Sequence, residues 1–161
     1  MQIISKSFNL TEYDSIDELQ ANDKALLETA KETTRNAYAP YSGFLVGAAA
    51  MLNNEQMVTG TNQENASYPV GICAERTLLS TASSLYPGVG IHTIAISYDN
   101  THGASDRPVS PCGICRQSLV EFENRTNQKV RLILSGLTGK VQVIESASLL
   151  LPLSFTNDDL K

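Results

Sequence analysis

The chain of 161 residues has no tryptophan, only three cysteines and no long apolar segment. An odd number of cysteines cannot pair completely in disulfides, so a disulfide-rich secreted scaffold is excluded. No apolar run approaches the ~20 residues of a membrane-spanning helix, and Met1 to Leu10 lacks the basic start and apolar stretch of a signal peptide. These absences predict a cytoplasmic protein with no membrane partner, whose thiols stay reduced.

Positive charge is also scarce, because 12 Lys and Arg stand against 17 Asp and Glu and give a formal net charge of -5. Proteins that bind a nucleic acid polymer usually carry a basic patch that supplies much of their affinity. The charge balance therefore predicts a small-molecule substrate and no polynucleotide partner.

Length and composition favour one domain. A chain of this size buries roughly two thirds of its unfolded surface around a single core. No repeat, low-complexity linker or break in composition divides the sequence. We predict an N-terminal extension over residues 1–22, in which Phe8 to Tyr13 alternates as an edge strand does, and one domain over residues 23–161.

Hydrophobic periodicity predicts helices that alternate with strands. The first helix is expected to be capped by Asn22-Asp23 and to end before Pro40, and two more helices are expected over 73–85 and 112–124. The predicted strands cover 44–52, 57–62, 92–98, 130–134 and 141–144, the first two forming a hairpin. Such alternation implies layers of helix packed on a central sheet.

The three cysteines stand where two predicted helices begin. Cys73 lies near one N-terminus, and Cys112 and Cys115 lie in the first turn of the other, where a spacing of three places both sulfurs on one face. Structural zinc usually has four protein ligands, whereas catalytic zinc has three and a water. The set Cys73, Cys112 and Cys115 therefore predicts a Zn²⁺ site of the hydrolytic kind.

Two neighbours of Cys73 add chemistry to this site. Glu75, in the same first turn, can face the zinc-activated water and shuttle its protons as the catalytic residue. Arg76 is expected to support the metal ligands from behind, because it and the helix N-termini offset the charge of three thiolates. A Pro-Cys-x-x-Cys pair, one further ligand and a non-ligand Glu form the arrangement of zinc deaminases.

Five blocks in order make the resemblance specific. They are YAPYSGFLVG at 38–47, NQENASYP at 62–69, CAERT at 73–77, SPCGICRQ at 110–117, and LLP at 150–152 followed by Phe155. In these blocks the chain resembles the cytidine deaminases of the small, three-cysteine, homotetrameric type. The resemblance implies an α/β fold, a three-layer α-β-α sandwich with a central mixed sheet of about five strands. It also implies hydrolytic deamination of cytidine and deoxycytidine to uridine and deoxyuridine in pyrimidine salvage.

The resemblance further implies roles for individual residues. Phe44 would pack against the pyrimidine, and Asn62 and Glu64 would hydrogen-bond the sugar 3'-hydroxyl. The backbone around Ala74 would meet the polar edge of the base, whose ring nitrogen Glu75 would contact. A buried carboxylate and amide would also disfavour ligands that lack the hydroxyl, which predicts nucleosides rather than free bases.

Two more residues are expected to act through assembly. By resemblance, Phe155 would reach the substrate pocket of a neighbouring subunit, and Tyr68 would bind substrate close to subunit contacts. The protein is accordingly expected to be a homotetramer, or a dimer, with its sites at the contacts between subunits.

Three other functions remain open at this point. A relative that deaminates a modified pyrimidine nucleoside, such as blasticidin S, would share the same zinc residues. A polynucleotide cytosine deaminase fits the acidic composition and the all-cysteine ligand set less well. A non-enzymatic zinc module would need a fourth ligand, for which His92 and His102 are the candidates.

Overall fold

The structure is a computed structural model that describes residues 1–161. The α-helices are α1 (Ala21–Thr33), α2 (Ala74–Leu85) and α3 (Gly113–Thr126). The β-strands are β1 (Thr11–Tyr13), β2 (Phe44–Leu52), β3 (Met57–Thr61), β4 (Ile91–Asn100), β5 (Arg131–Ser135) and β6 (Val141–Ile144). None of the helices is both long and apolar enough to cross a bilayer.

The strands form one mixed sheet in the order β1-β6-β5-β4-β2-β3. Strands β4 and β5 are parallel, and the remaining neighbours are antiparallel. This sheet confirms the predicted α/β sandwich with a mixed sheet. It has a sixth strand because Thr11–Tyr13 pairs with Val141–Val143 at one edge.

Alternation along the strands produces two cores, one on each face of the sheet. On one face the side chains of β2, β4 and β5 at alternate positions pack with Leu78 of α2 and Leu119 of α3. On the other face Ala49, Ala95 and Ile133 pack against α1. Successive residues of a strand point to opposite faces of the sheet. Each face therefore buries its own apolar side chains under helices, and the sheet becomes the middle of three layers.

Glycine at one strand position lets α2 approach the sheet closely. A β-carbon at Gly60 would lie 2.6 Å from the carbonyl oxygen of Ala74, and closer still to the backbone of Leu78. Real β-carbons do not tolerate such separations, so only glycine permits α2 to rest directly on β3. This contact fixes the N-terminus of α2, and hence Cys73, at one end of the sheet.

The start of α1 differs from the prediction. The helix begins at Ala21, its N-cap is Gln20, and no side chain caps it. Asp23, which was expected to cap the helix, instead accepts two hydrogen bonds of 2.8 Å from the Arg131 guanidinium on β5. The Asp23 side chain thus forms a bidentate ion pair with a distant strand instead of a local cap. Sequence periodicity does not reveal such a long-range contact.

Candidate active site and metal centre

A cavity of about 530 Å³ lies where β2 begins and β3 ends, beside the N-termini of α2 and α3. Its volume is within the usual range for small-molecule sites. Eight of the residues singled out in the sequence line it: Phe44, Asn62, Glu64, Tyr68, Cys73, Ala74, Glu75 and Cys112.

The three cysteines converge beside this cavity. The Sγ atoms of Cys73 and Cys112 lie 3.8 Å apart, those of Cys112 and Cys115 lie 3.5 Å apart, and all three lie within 4.8 Å of one another. Four ligands placed tetrahedrally about zinc at about 2.3 Å are about 3.8 Å apart, so the three sulfurs fit that ion. The histidines are not part of this cluster.

Local helix geometry explains this convergence. Cys73 is the N-cap of α2 and Cys112 is the N-cap of α3, both with extended backbone, while Cys115 is buried in the first turn of α3. Both helix ends therefore direct unpaired N–H groups and partial positive charge towards the sulfurs, which stabilises thiolates. The predicted positions of the cysteines at two helix N-termini are confirmed.

The closely spaced thiols shift one another's pKa values. A hydrogen bond from Cys115 is the largest cause that lowers the pKa of Cys73 to about 6, and the same interaction raises the pKa of Cys115. The charge of Arg76 also lowers the pKa of Cys73. Thiolates are the form that binds metal, and the surroundings of Cys73 favour that form.

Glu75 is the buried acid of the cavity. It is only 5% exposed, although a carboxylate is rarely buried without a positively charged partner. Burial is the largest cause that raises the pKa of Glu75, while hydrogen bonding from its own backbone and from Cys115 opposes the rise. A carboxyl group with a raised pKa, next to three thiols that could hold a metal ion, is suited to accept and return protons.

A second arginine holds the loop that carries Cys112. The Arg116 Nε donates to the carbonyl oxygen of Pro111 at 2.8 Å, and its guanidinium also donates to the carbonyl oxygen of Leu150 at 3.0 Å. Arg116 thus links the residue before Cys112 to the C-terminal segment. Arg116 lies in the SPCGICRQ motif, but no role was predicted for it from the sequence.

Elsewhere in the cavity lining, Asn62 and Glu64 are bonded to the backbone. The Asn62 amide donates to the carbonyl oxygen of Phe44 at 2.9 Å and accepts from the Val46 N–H at 2.7 Å. The Glu64 carboxylate accepts from the Tyr41 N–H at 2.9 Å. Both side chains are therefore fixed in direction before any ligand arrives.

Phe44 forms an aromatic wall with a residue that sequence reasoning did not single out. Its ring stacks on that of Tyr98, with centroids 4.6 Å apart and an angle of 13° between the planes. Tyr98 is 2% exposed and lies on β4 opposite Val46 of β2. Tyr98 covers one face of the Phe44 ring, and Phe44 lines the cavity.

The remaining predicted residues lie farther from the cavity centre. Tyr68 lines the cavity but is 75% exposed, and its ring lies 5.9 Å from that of Tyr41. Phe155 is 59% exposed and does not line the cavity within its own chain. Arg76 does not line it either, and acts on Cys73 through its charge.

Sequence reasoning missed nine lining residues: Ser42, Val46, Gln63, Asn65, Gly71, Ile72, Ile96, Val109 and Ser110. Several could have been found from their places beside the recognised ones. Val46 shares a strand face with Phe44, and Ser110 lies two residues before Cys112. Ile96 required the pairing of β2 with β4, in which it lies opposite Ala48.

The comparisons with known proteins agree with this geometry. Residues 20–130 match the family model for the cytidine and deoxycytidylate deaminase zinc-binding region. A cytidine deaminase from Halalkalibacterium halodurans is 38% identical over 135 residues, which cover 84% of this chain and 95% of that protein. One from Sporosarcina psychrophila is 37% identical over 135 residues, covering 84% and 92% of the two chains.

A solved structure extends the likeness to the fold. The 1.6 Å crystal structure of cytidine deaminase from Burkholderia pseudomallei has a TM-score of 0.71 and 38% identity, and the match covers 85% of this chain and 100% of that one. The matched regions include the three cysteines, since the family model spans the segment that contains them all. The chain therefore belongs to the zinc-binding family of cytidine and deoxycytidylate deaminases.

Proposed function

We propose that the protein catalyses the hydrolytic deamination of cytidine and deoxycytidine to uridine and deoxyuridine, with release of ammonia. One observation carries the proposal: the buried Glu75 carboxylate and the three-sulfur cluster lie at one end of a cavity of about 530 Å³. Three sulfurs fill three of the four positions that zinc takes, so the donor set fits zinc and leaves one position for the reaction. The protein is then a hydrolase acting on a cyclic amidine C–N bond, with a place in pyrimidine salvage.

Cys73, Cys112 and Cys115 would hold the ion, and Glu75 would move the protons. Zinc bound there supplies a Lewis acid that lowers the pKa of a water molecule toward ~7. Glu75 accepts a proton from the water that attacks C4 and donates it to N3 of the ring. It then transfers the remaining proton of the C4 hydroxyl to the exocyclic amine, so that the C4–N bond breaks, ammonia leaves and the C4 carbonyl remains.

The rest of the cavity lining supports nucleoside binding. The Phe44 ring can pack on a pyrimidine ring, and the backbone at Ala74 is close enough to the cysteines to meet the polar edge of the base. Glu64 and Asn62 retain unused polar capacity for the sugar, because the carboxylate has a second oxygen and the amide a second N–H. An unphosphorylated sugar suits this part of the site, since a carboxylate repels a phosphate.

Assembly would complete the site. The exposed rings of Phe155 and Tyr68 support a homotetramer in which these residues contact substrate or neighbouring subunits. The three cysteines are free rather than in disulfides, as a cytoplasmic location would keep them. The division into an extension over residues 1–22 and a domain over residues 23–161 stays a prediction, and Leu19 is already part of the core against α1.

The test is a Glu75→Ala protein with its zinc content measured. We expect zinc to stay at one ion per chain, because Glu75 is not a ligand. Release of ammonia from cytidine should fall by about 10²- to 10⁴-fold, as for loss of a general acid-base group. Near-normal ammonia release by the zinc-loaded variant would contradict the role of Glu75.

A further inference from the structure

We propose that Ser42 is a positioning residue that aligns Glu64 and Phe44 for a nucleoside, and so sets the preference for a substrate with a 3'-hydroxyl group. The inference rests on the proposed function and adds to it a residue that decides substrate choice. Ser42 lines the cavity but belongs to neither the metal cluster nor the aromatic wall.

The hydrogen bonds of Ser42 join the two substrate-facing residues. Its Oγ accepts from the Phe44 N–H at 3.0 Å, and its backbone N–H donates to the Glu64 Oε2 atom at 3.3 Å. The Tyr41 N–H donates to the same carboxylate oxygen at 2.9 Å. One short turn thus fixes one carboxylate oxygen of Glu64 and the backbone at the first residue of β2.

The turn that the Ser42 hydroxyl closes also acts on the charge of Glu64. The nearby Ser42 hydroxyl and the backbone N–H groups of Tyr41 and Ser42, which donate to the carboxylate, lower the pKa of Glu64. Stabilising the ionised form keeps Glu64 an acceptor, and an acceptor is what a sugar hydroxyl requires. Through this turn, Ser42 influences both the direction and the ionisation of Glu64.

Asn62 provides a second link from the other side. Its amide bonds the carbonyl oxygen of Phe44 and the N–H of Val46, so the backbone of Phe44 is held at its N–H by Ser42 and at its carbonyl by Asn62. If Ser42 loses its hydroxyl, Phe44 remains attached through Asn62, while the turn that presents the Tyr41 and Ser42 N–H groups to Glu64 loses the bond that closes it. The main consequence should therefore reach the substrate through Glu64.

The experiment compares Ser42→Ala, Glu64→Gln and the double variant with the parent enzyme, using cytidine and 3'-deoxycytidine as substrates. We expect Ser42→Ala to raise KM for cytidine about five- to tenfold with kcat within twofold, since the hydrogen bond that closes the turn holding Glu64 is lost. The same substitution should change neither parameter for 3'-deoxycytidine by more than twofold. In the Glu64→Gln background it should add less than twofold to KM for cytidine.

Two controls separate positioning from general damage. Ser42→Thr retains a hydroxyl and should recover most of the KM, whereas Ser80→Ala, on the exposed face of α2, should leave both parameters unchanged. Equal losses on the two nucleosides, or an undiminished effect in the Glu64→Gln background, would overturn the role of Ser42 while leaving deamination in place. No ammonia release from the zinc-loaded parent enzyme would instead refute the proposed function, and the Ser42 proposal with it.

Discussion

The site has two parts that are built in different ways, and we name them by their proposed roles. At the metal end, two helix N-termini present three thiols, whose sulfur atoms contact one another, and the buried Glu75 carboxylate. At the sugar end, Asn62 and Glu64 are bonded to the backbone of the segment from Tyr41 to Val46. The metal end keeps its groups available for an ion, while the sugar end uses part of its polar capacity to hold its own shape.

Because of this difference, we expect substitutions at the two ends to reduce activity in different ways. A change at the metal end removes a ligand or a proton carrier, so it acts on the chemical step. A change at the sugar end moves a contact that substrate and transition state share, so it acts mainly on KM. Substitutions ordered by distance from the metal can test whether the ends are separable.

The largest effect is expected from Cys112→Ala. With two sulfurs left, zinc should be lost, and ammonia release should fall by on the order of 10³-fold or more, because the ion supplies several kcal/mol of charge stabilisation. Metal analysis of the purified protein and an ammonia assay measure the two losses together. Ile114→Ala, a substitution of a 63% exposed residue in the same turn, is the matched control and should retain both zinc and activity.

A Cys112→Ala protein with full zinc content would contradict this account of the metal end. It would mean that the ion is held by other groups, and that the metal end does not depend on its three sulfurs. Loss of zinc with retained activity would be equally damaging, because the proposed reaction needs both.

The contrast between the two ends also explains what could be read from the sequence. Cys112 and Cys115 are three residues apart on one helix, and Glu75 is two residues from Cys73, so local spacing predicted each half of the metal end, while the convergence of Cys73 and Cys112 across 39 residues had to be inferred from the shared chemistry of the thiols. The mixed sheet was implied by the resemblance, whereas the hairpin and the helices that begin at cysteines were predicted from the sequence pattern itself. Local periodicity and local spacing determine them.

The sugar end depends on contacts between distant segments, which no local pattern encodes. Glu64 meets Tyr41 across 23 residues, and Tyr98 reaches Phe44 only because β2 pairs with β4. The two sequence motifs around Phe44 and Glu64 indicated that both residues matter. They did not reveal that Ser42 joins them or that Tyr98 supports the ring.

An intermediate effect is expected from Tyr98→Leu. Phe44 would lose its stacking partner, and aromatic pairs of this kind contribute about 0.5–1.5 kcal/mol beyond burial. We expect KM for cytidine to rise about three- to tenfold while zinc content stays unchanged. Tyr86→Leu alters a half-buried aromatic that packs on the core between the sheet and α2 and α3, outside the cavity, and should reduce thermal stability without changing KM. Steady-state kinetics and thermal unfolding of both variants distinguish loss of support for the Phe44 ring from a general loss of stability.

Equal KM values for the Tyr98→Leu and parent enzymes would show that Phe44 keeps its direction without the stacked ring. A loss of zinc in the Tyr98→Leu protein would instead show that the two ends are not independent, because a change beside Phe44 would then have altered the cysteine cluster.

The smallest effect on catalysis is expected from Asp23→Asn, which alters the face of the sheet opposite the cavity. Asp23 and Arg131 join α1 to β5 through two hydrogen bonds of 2.8 Å, and their side chains are 20% and 22% exposed. The hydrogen bonding of Arg131 to Asp23 is the largest cause that raises the pKa of Arg131.

Asparagine keeps one acceptor for the guanidinium but removes the charge, and Glu145 lies 3.5 Å from Arg131 as a partial substitute. The free energy of unfolding should therefore fall by only about 1–2 kcal/mol, between the values for exposed and buried pairs. Denaturant unfolding measures this change, and Lys24→Ala, which breaks the more exposed pair with Asp17, should cost less. Since α1 packs on the face that does not carry Val46 and Ile96, kcat and KM should stay within twofold of the parent values. A larger kinetic change would show that the strands transmit structural changes from one face of the sheet to the other. The metal end and the sugar end could then not be separated by substitutions at one of them.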